Sequence, residues 1–347
     1  MSAVSKVGSG ASSPPAAAGS RWLLLVLLLG AVACRKGTPG TTGVAPSAVD
    51  AATAKAIGDA PRTAESTSAG PPRPHAPAEA WASWPMPNAR LPGLPNPHSY
   101  DMRIDGVVVD LVTGLMWQRI APNKFLTFKD AERECDGLKL AGHDDWRLPS
   151  RIELVSILDT IRTQPSIDFQ AFPGTASDWF WTSSLAADNP KSAWYVYFYF
   201  GYPKTDDMTN QFSVRCVRPT RPKVALPARY DVQAQAVRDV ATGLLWQRTA
   251  PGKTFQFAEA RAYCERLRLG GKKHWRLPSL PELLTLIDER AAAPMIDRTA
   301  FPNTPGEPFW SSSTFANGTE PVWYVRFDDG SGLYGRLIEP FRVRCVL

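Results

Sequence analysis

The chain has 347 residues, is 44% hydrophobic with 32 prolines and 25 glycines, and carries a formal charge of +6; that length exceeds one ordinary domain and allows two with packed cores. The charge disperses when it is divided: residues 1–99 hold 8 basic against 4 acidic side chains, 100–218 hold 13 against 16, 219–228 hold 2 against none, and 229–347 hold 16 against 13. No segment is basic enough to track phosphates, which excludes nucleic acid as a partner.

Lys6 and Arg21 precede the apolar run "WLLLVLLLGAVA", 12 residues from Trp22 to Ala33. A bilayer-spanning helix needs roughly 20 residues, so this run reads as the core of a secretory signal. Its end, "AVAC", resembles a bacterial lipobox, although Ala31 stands where Leu is commoner. That resemblance implies a signal peptide over 1–33, lipidation of Cys34, and a membrane anchor in the cell envelope. Arg35 lacks the Asp that resembles an inner-membrane retention signal, which points to the outer membrane, on its periplasmic or surface face. Residues 34–97, dominated by Ala, Pro, Ser and Thr, cannot bury enough surface to offset their ordering entropy, and read as a disordered tether.

"VVVDLVTGLMWQ", from Val107, is two apolar runs about an Asp/Gly turn, the pattern of a hairpin. In "FKDAERECDGL", Phe128, Ala131, Cys135 and Leu138 share one helical face, so a helix there points Cys135 inward. "WRLPS" at Trp146–Ser150 ends in Ser150 with Glu153 three residues on, which is a capping box for a helix burying Leu154, Ile157 and Leu158. Pro149 holds Leu148 extended before that helix. "WYVYF" and "FSVRCVR" read as strands.

From Asp110 onward everything recurs 129 positions later. "TGLMWQRIAP" is answered by "TGLLWQRTAP", "WRLPS" recurs at Trp275–Ser279, and Trp117, Trp146, Trp181 and Trp194 fall in register with Trp246, Trp275, Trp310 and Trp323. The chain therefore reads as two tandem α+β domains, repeat one over 98–219 and repeat two over 229–347, joined by a linker over 220–228. Each has two helices and a mainly antiparallel sheet. Cys135 maps to Cys264 and Cys216 to Cys345; an exported chain keeps such pairs oxidised, which predicts the disulfides Cys135–Cys216 and Cys264–Cys345. A metal site would need in-register histidines beside these cysteines, and there are none.

"TGLMWQR", "WRLPSRIEL", "WFWTSS", "WYV" and "VRCVR" together resemble the Lcl C-terminal domain family, over residues from about 100 to 218 and 229 to 347. The resemblance implies a C-type-lectin-like fold in each repeat. It also implies kinship with an adhesin implicated in binding sulfated glycosaminoglycans. This chain lacks that adhesin's Gly-X-Y collagen repeat, so assembly through a collagen stalk is not implied.

Catalysis finds little support. His143 and His274 are out of register, which excludes a His-dependent nucleophile shared by both copies. A formylglycine-generating type of enzyme needs reactive cysteines, and these are assigned to disulfides. The recurring acids Asp159 and Asp168, with Asp288 and Asp297, leave a glycan hydrolase open but read as turn and helix-end residues. Neither calcium-lectin motif is present. No enzyme, cofactor or metal is therefore expected.

The copies differ most in one strand. "WYVRFDDGS" alternates Trp323, Val325 and Phe327 with Tyr324, Arg326 and Asp328, so the second face meets water. In register, repeat one presents Tyr195, Tyr197 and Tyr199 there, joined by Tyr202 and Lys204 in the following loop. These tyrosines form either a ligand surface or a face covered by the chain itself. Repeat two, with Arg326, Asp328 and Arg336, would suit a more acidic ligand. The expected function is an adhesion or binding module for polysaccharide or glycosaminoglycan, the alternative a protein-binding scaffold in an envelope complex.

Overall fold

The computed structural model describes residues 81–220, 228–315 and 321–347, all within one compact unit. The signal, Cys34, the tether as far as residue 80 and most of the linker lie outside the described residues.

Repeat one runs β1 (Tyr100–Asp101), β2 (Val107–Asp110), β3 (Leu115–Gln118), α1 (Phe128–Asp136), α2 (Arg151–Val155), β4 (Trp179–Leu185), β5 (Ser192–Tyr197), β6 (Tyr202–Asp207) and β7 (Val217–Pro219). Repeat two follows with β8 (Tyr230–Val232), β9 (Ala236–Asp239), β10 (Leu245–Gln247), α3 (Phe257–Arg266), α4 (Leu280–Leu284), β11 (Pro308–Thr314), β12 (Val322–Arg326) and β13 (Gly332–Gly335). All strand pairings are antiparallel, in sheets ordered β1-β2-β3-β7, β4-β5-β6, β10-β9-β8 and β11-β12-β13. The α+β class is therefore that of the sequence reading, and so is the β2–β3 hairpin.

Both disulfides form as expected, Cys135–Cys216 and Cys264–Cys345, with Cα atoms 5.4 and 5.5 Å apart. Each ties the first helix of its repeat to the last segment. Phe128, Ala131 and Cys135 of α1, and Phe257, Ala260 and Cys264 of α3, are the buried helix positions.

"WRLPS" starts a helix in both copies. The Ser150 hydroxyl accepts from the Glu153 amide while the Glu153 carboxylate accepts from the Ser150 amide at 2.8 Å. The same carboxylate takes a forked pair of hydrogen bonds from Arg147 at 2.7 and 2.5 Å. Arg276, Ser279 and Glu282 repeat this arrangement. Arg147 also exchanges backbone hydrogen bonds with Val217, and Arg276 with Val346, so the motif pins each repeat's last segment as well. It is scaffold, with the glutamate buried and its charge answered by the arginine.

The helix after it is shorter than the pattern suggests. α2 ends at Val155, with the Ser156 hydroxyl turned back to the Glu153 carbonyl at 2.6 Å, yet Ile157 and Leu158 remain fully buried. "FSVRCVR" is strand only over Val217–Pro219. Arg215 within it is fully buried rather than solvent-facing: its guanidinium donates to the carbonyls of Gln118 and Arg119 and to Thr175, over the ring of Phe172. Arg344 does the same in repeat two with Gln247, Arg248 and Thr304. Burial pulls both guanidinium groups down to about 9, which leaves them cationic at neutral pH.

Two sequence expectations need correction. First, the tether does not run to residue 97. Ala82, Trp84, Met86, Asn88 and Ala89 are buried, and Asn88 binds repeat two, accepting from the Ser279 hydroxyl at 2.5 Å and donating to Glu282 at 3.3 Å. Composition averaged over a Pro- and Ala-rich stretch concealed the few large side chains that anchor it. Second, the repeats are not wholly separate: each keeps a cluster of its own around its disulfide, but a third is shared. One cluster joins Leu158, Trp194 and Phe198 of repeat one to Leu284, Ile287 and Trp323 of repeat two.

An ion pair lies within that shared core. Arg151, fully buried, donates from Nε to Glu289 at 3.0 Å and to the carbonyls of Leu284 and Ile287, with Trp194 beneath its guanidinium. In register, Leu280 replaces Arg151 and Thr160 replaces Glu289. The pair therefore belongs to the seam and not to the repeat.

Candidate functional site

The sheet β4-β5-β6 of repeat one has two unlike faces. Paired residues of neighbouring antiparallel strands lie on the same face. Phe180, Trp194 and Val196 face the shared core. The other face carries two aligned rows, Trp179–Tyr197–Tyr202 and Trp181–Tyr195–Lys204.

The second row is buried except at Lys204. Tyr195 is only 6% exposed, because Phe212 from the last segment packs edge-on against it at 5.2 Å and against Trp181 at 4.4 Å. The expectation of a fully exposed tyrosine stripe therefore fails at Tyr195. Alternation along the strand gave the correct face, but a segment arriving from 17 residues further along the sequence covers that end of it. Tyr202 and Lys204 also lie within β6 rather than in a loop.

The first row stays open. Trp179, 40% exposed, stacks on Tyr197 with ring centroids 5.1 Å apart and planes 14° apart, and Tyr197 stacks in turn on Tyr199 at 5.8 Å and 18°. Tyr202 meets Tyr197 edge-on at 5.6 Å. Burial raises the Tyr197 and Tyr202 phenols above their usual range, so their hydroxyls stay protonated and can donate as well as accept.

Beyond Tyr199 the aromatic run crosses to repeat two. Phe200 lies 4.5 Å from Tyr199, 5.7 Å from Phe315 and 5.8 Å from Tyr334, while Phe315 and Tyr334 are 5.3 Å apart. Tyr334 is 42% exposed. The sequence reading missed Trp179, Phe200, Phe315 and Tyr334. A signal was present: in register these positions hold Pro308, Asp329, Ala186 and Thr205, so each is aromatic in only one copy.

Repeat two builds something different at the same places. Pro308 and Arg326 occupy the paired positions of Trp179 and Tyr197, and Asp328 that of Tyr199. Arg326 is bound to Asp328 and lies 3.8 Å from Asp329, which raises the guanidinium and lowers the Asp328 carboxyl. Arg342 is likewise paired with Glu307 at 2.7 Å. Arg336 is exposed, its backbone amide donating to Glu339. The structure brings Arg326 and Asp328 together but does not assemble an array of open cations with Arg336.

The recurring acids serve turns. Asp168 accepts from the amides of Gln170 and Ala171, and Asp297 from those of Thr299 and Ala300. Asp159 accepts from the Ile161 amide and from Arg162, and Asp288 from the Arg290 amide and side chain. Sequence reasoning also passed over His98. Its Nε2 lies 3.1 Å from the Leu158 carbonyl and its Nδ1 3.1 Å from the Tyr100 hydroxyl, so both nitrogens are occupied. Burial lowers its pKa, against the pull of Asp159, Asp110 and Asp168. Among the described residues, no group of three or more His, Cys, Asp or Glu could hold a metal ion, and no helix is long and apolar enough to cross a membrane.

Two copies of one fold, each with its disulfide and its capped "WRLPS" helix, are matched by one family. The sequence model of the Lcl C-terminal domain family matches residues 106–218 and again 235–347, more than half of the chain. The chain belongs to the Lcl C-terminal domain family. No curated protein matches it. As an Lcl domain pair it is tandem and asymmetric, with the open aromatic ladder in the first copy alone.

Proposed function

We propose that this protein is a non-catalytic binding module of the cell envelope, exported and lipid-anchored through Cys34, that holds polysaccharide on the aromatic face of repeat one. The observation that carries this reading is the Trp179–Tyr197–Tyr199 ladder, set against Pro308, Arg326 and Asp328 at the same positions of repeat two. Because repeat two folds without the rings, the fold does not require them. Half-exposed tyrosine rings beside the exposed Trp179 pair apolar area with the hydrogen bonding of their hydroxyls, which suits sugar rings. Membership of a family that includes an adhesin supports the same class.

A protein-binding scaffold is the second reading. Ile120, Phe125 and Phe169 are 63%, 52% and 44% exposed where repeat two has Thr249, Thr254 and Arg298 in register.

The test is binding of the fragment 81–347, with both disulfides formed, to a panel of neutral and sulfated polysaccharides, with and without chelator. Saturable binding that Trp179→Ala or Tyr199→Ala weakens at least tenfold, with unchanged melting temperature, is the expected result. Absence of binding across the panel refutes it and transfers the weight to a protein partner captured through Ile120 and Phe125.

A further inference from the structure

Resting on that reading, we infer that the two repeats build one composite site, which takes a single extended, uncharged polysaccharide chain across the seam between them. The aromatic run does not stop at the edge of repeat one. It passes from Trp179 through Tyr197 and Tyr199 to Phe200, and then to Phe315 and Tyr334, which repeat two supplies. Each step between neighbouring rings, from 4.5 to 5.8 Å, is comparable with one pyranose unit of a chain.

The geometry of the seam holds this run in line. Gly332 of β13 sits against Tyr202 and Pro203 of β6, so close that an added Cβ would lie 3.3 and 3.5 Å from them. Tyr202 also packs on Trp323 at 6.2 Å. The two sheet edges therefore abut, and their aromatic residues form one surface rather than two.

Charge decides the class of chain. At the Trp179 end the run is flanked by the carboxylate of Asp178, which adds to the rise that burial gives the Tyr197 phenol; Asp328 and Asp329 lie beyond Arg326, at the opposite end of β12 from the Trp323 that pairs with Tyr334. At the other end of the run Arg336, exposed two residues beyond Tyr334, is the flanking cation. Lys204 stands exposed in the row beside Tyr195. A rim of mixed sign offers a sulfated polyanion no array of cations and leaves ring contacts and phenolic hydrogen bonds to do the recognition.

Repeat two has thus exchanged its own ladder for a contribution to its neighbour's. One chain should bind one ligand, and affinity should rise with ligand length until the run is filled.

Calorimetry of fragment 81–347 with cello- and chito-oligosaccharides, from disaccharide to hexasaccharide, tests this, with heparin as the polyanionic probe. Expected are one site per chain, tighter binding of hexasaccharide than disaccharide, and weak heparin binding. Tyr334→Ser should then lower hexasaccharide affinity about tenfold while leaving the disaccharide unchanged, the size of one lost aromatic contact. Phe315→Ser provides the same readout should Tyr334→Ser lower the melting temperature. Two sites per chain, or full hexasaccharide affinity in both repeat-two variants alongside loss in Trp179→Ala, would overturn the composite site while leaving the functional reading standing. Preference for heparin overturns the uncharged class. No binding of any probe by the wild type removes the functional reading and this inference with it.

Discussion

Arg151→Leu offers a direct test of how the repeats are joined, since it places in repeat one the residue that repeat two carries at the same position. It removes the cation paired with Glu289, which is 4% exposed. The loss includes the 3.0 Å hydrogen bond to Glu289, those to the Leu284 and Ile287 carbonyls, and the contact with Trp194. Breaking a buried pair in this way costs about 3–5 kcal/mol, chiefly because the remaining charge is left uncompensated. With a urea dependence of about 3 kcal/mol/M, the unfolding midpoint should fall by about 1–1.7 M. Adding Glu289→Thr, again the register counterpart, removes that stranded charge. The double variant should recover most of the loss, because a buried ion pair replaced whole is often close to neutral. The pH dependence has a definite sign. Burial already raises the Glu289 carboxyl above its usual 4.5, opposed first by Arg151, so removing Arg151 raises it further. Between 4.5 and that raised value the folded state binds more protons than the unfolded state, so stability falls as pH rises through the window. The penalty of Arg151→Leu should therefore be largest at neutral pH and shrink below 4.5. The measurement is urea unfolding followed by tryptophan fluorescence at several pH values. A cost below about 1 kcal/mol, within the range of an exposed pair, or a double variant no better than the single, would refute the reasoning.

Gly330→Ala should destabilise by about 1–3 kcal/mol through overpacking, because its Cβ would fall 2.8 Å from Trp194 and 2.9 Å from Ile287 at a φ of +69°. Gly142→Ala, at a φ of +77° with open space around it, should cost only the left-handed strain of about 1–2 kcal/mol; differential scanning calorimetry of both variants separates crowding from backbone strain. A fragment beginning at Asn96 should be markedly less stable than one beginning at Trp81, since it lacks Trp84, Met86 and Asn88, and Asn88→Ala alone should cost about 1–3 kcal/mol by leaving the buried Ser279 hydroxyl without its acceptor. Burial lowers the His98 pKa below its usual 6.5, so between that folded value and 6.5 the unfolded chain holds more protons and stability rises with pH. Stability should accordingly fall as pH is lowered through this window, and His98→Asn should flatten that slope in unfolding curves; an unchanged slope would place its origin elsewhere.

The sequence by itself determined what is local or duplicated. The 129-residue register identified two copies and put the four cysteines in matching pairs; Ser150 with Glu153 marked a helix start because capping involves neighbours in sequence; alternation separated the two faces of β5. Tertiary structure alone decided the rest. Tyr195 is closed by Phe212, the segment from residue 81 is ordered by Asn88 reaching Ser279, and Arg151 meets Glu289 138 positions away. These contacts occur once, between residues distant along the chain, so neither periodicity nor repetition carries a trace of them. The aromatic run lies between the two cases: its rings were visible as differences between the copies, but only packing of β6 against β13 joins Phe200 to Phe315 and Tyr334.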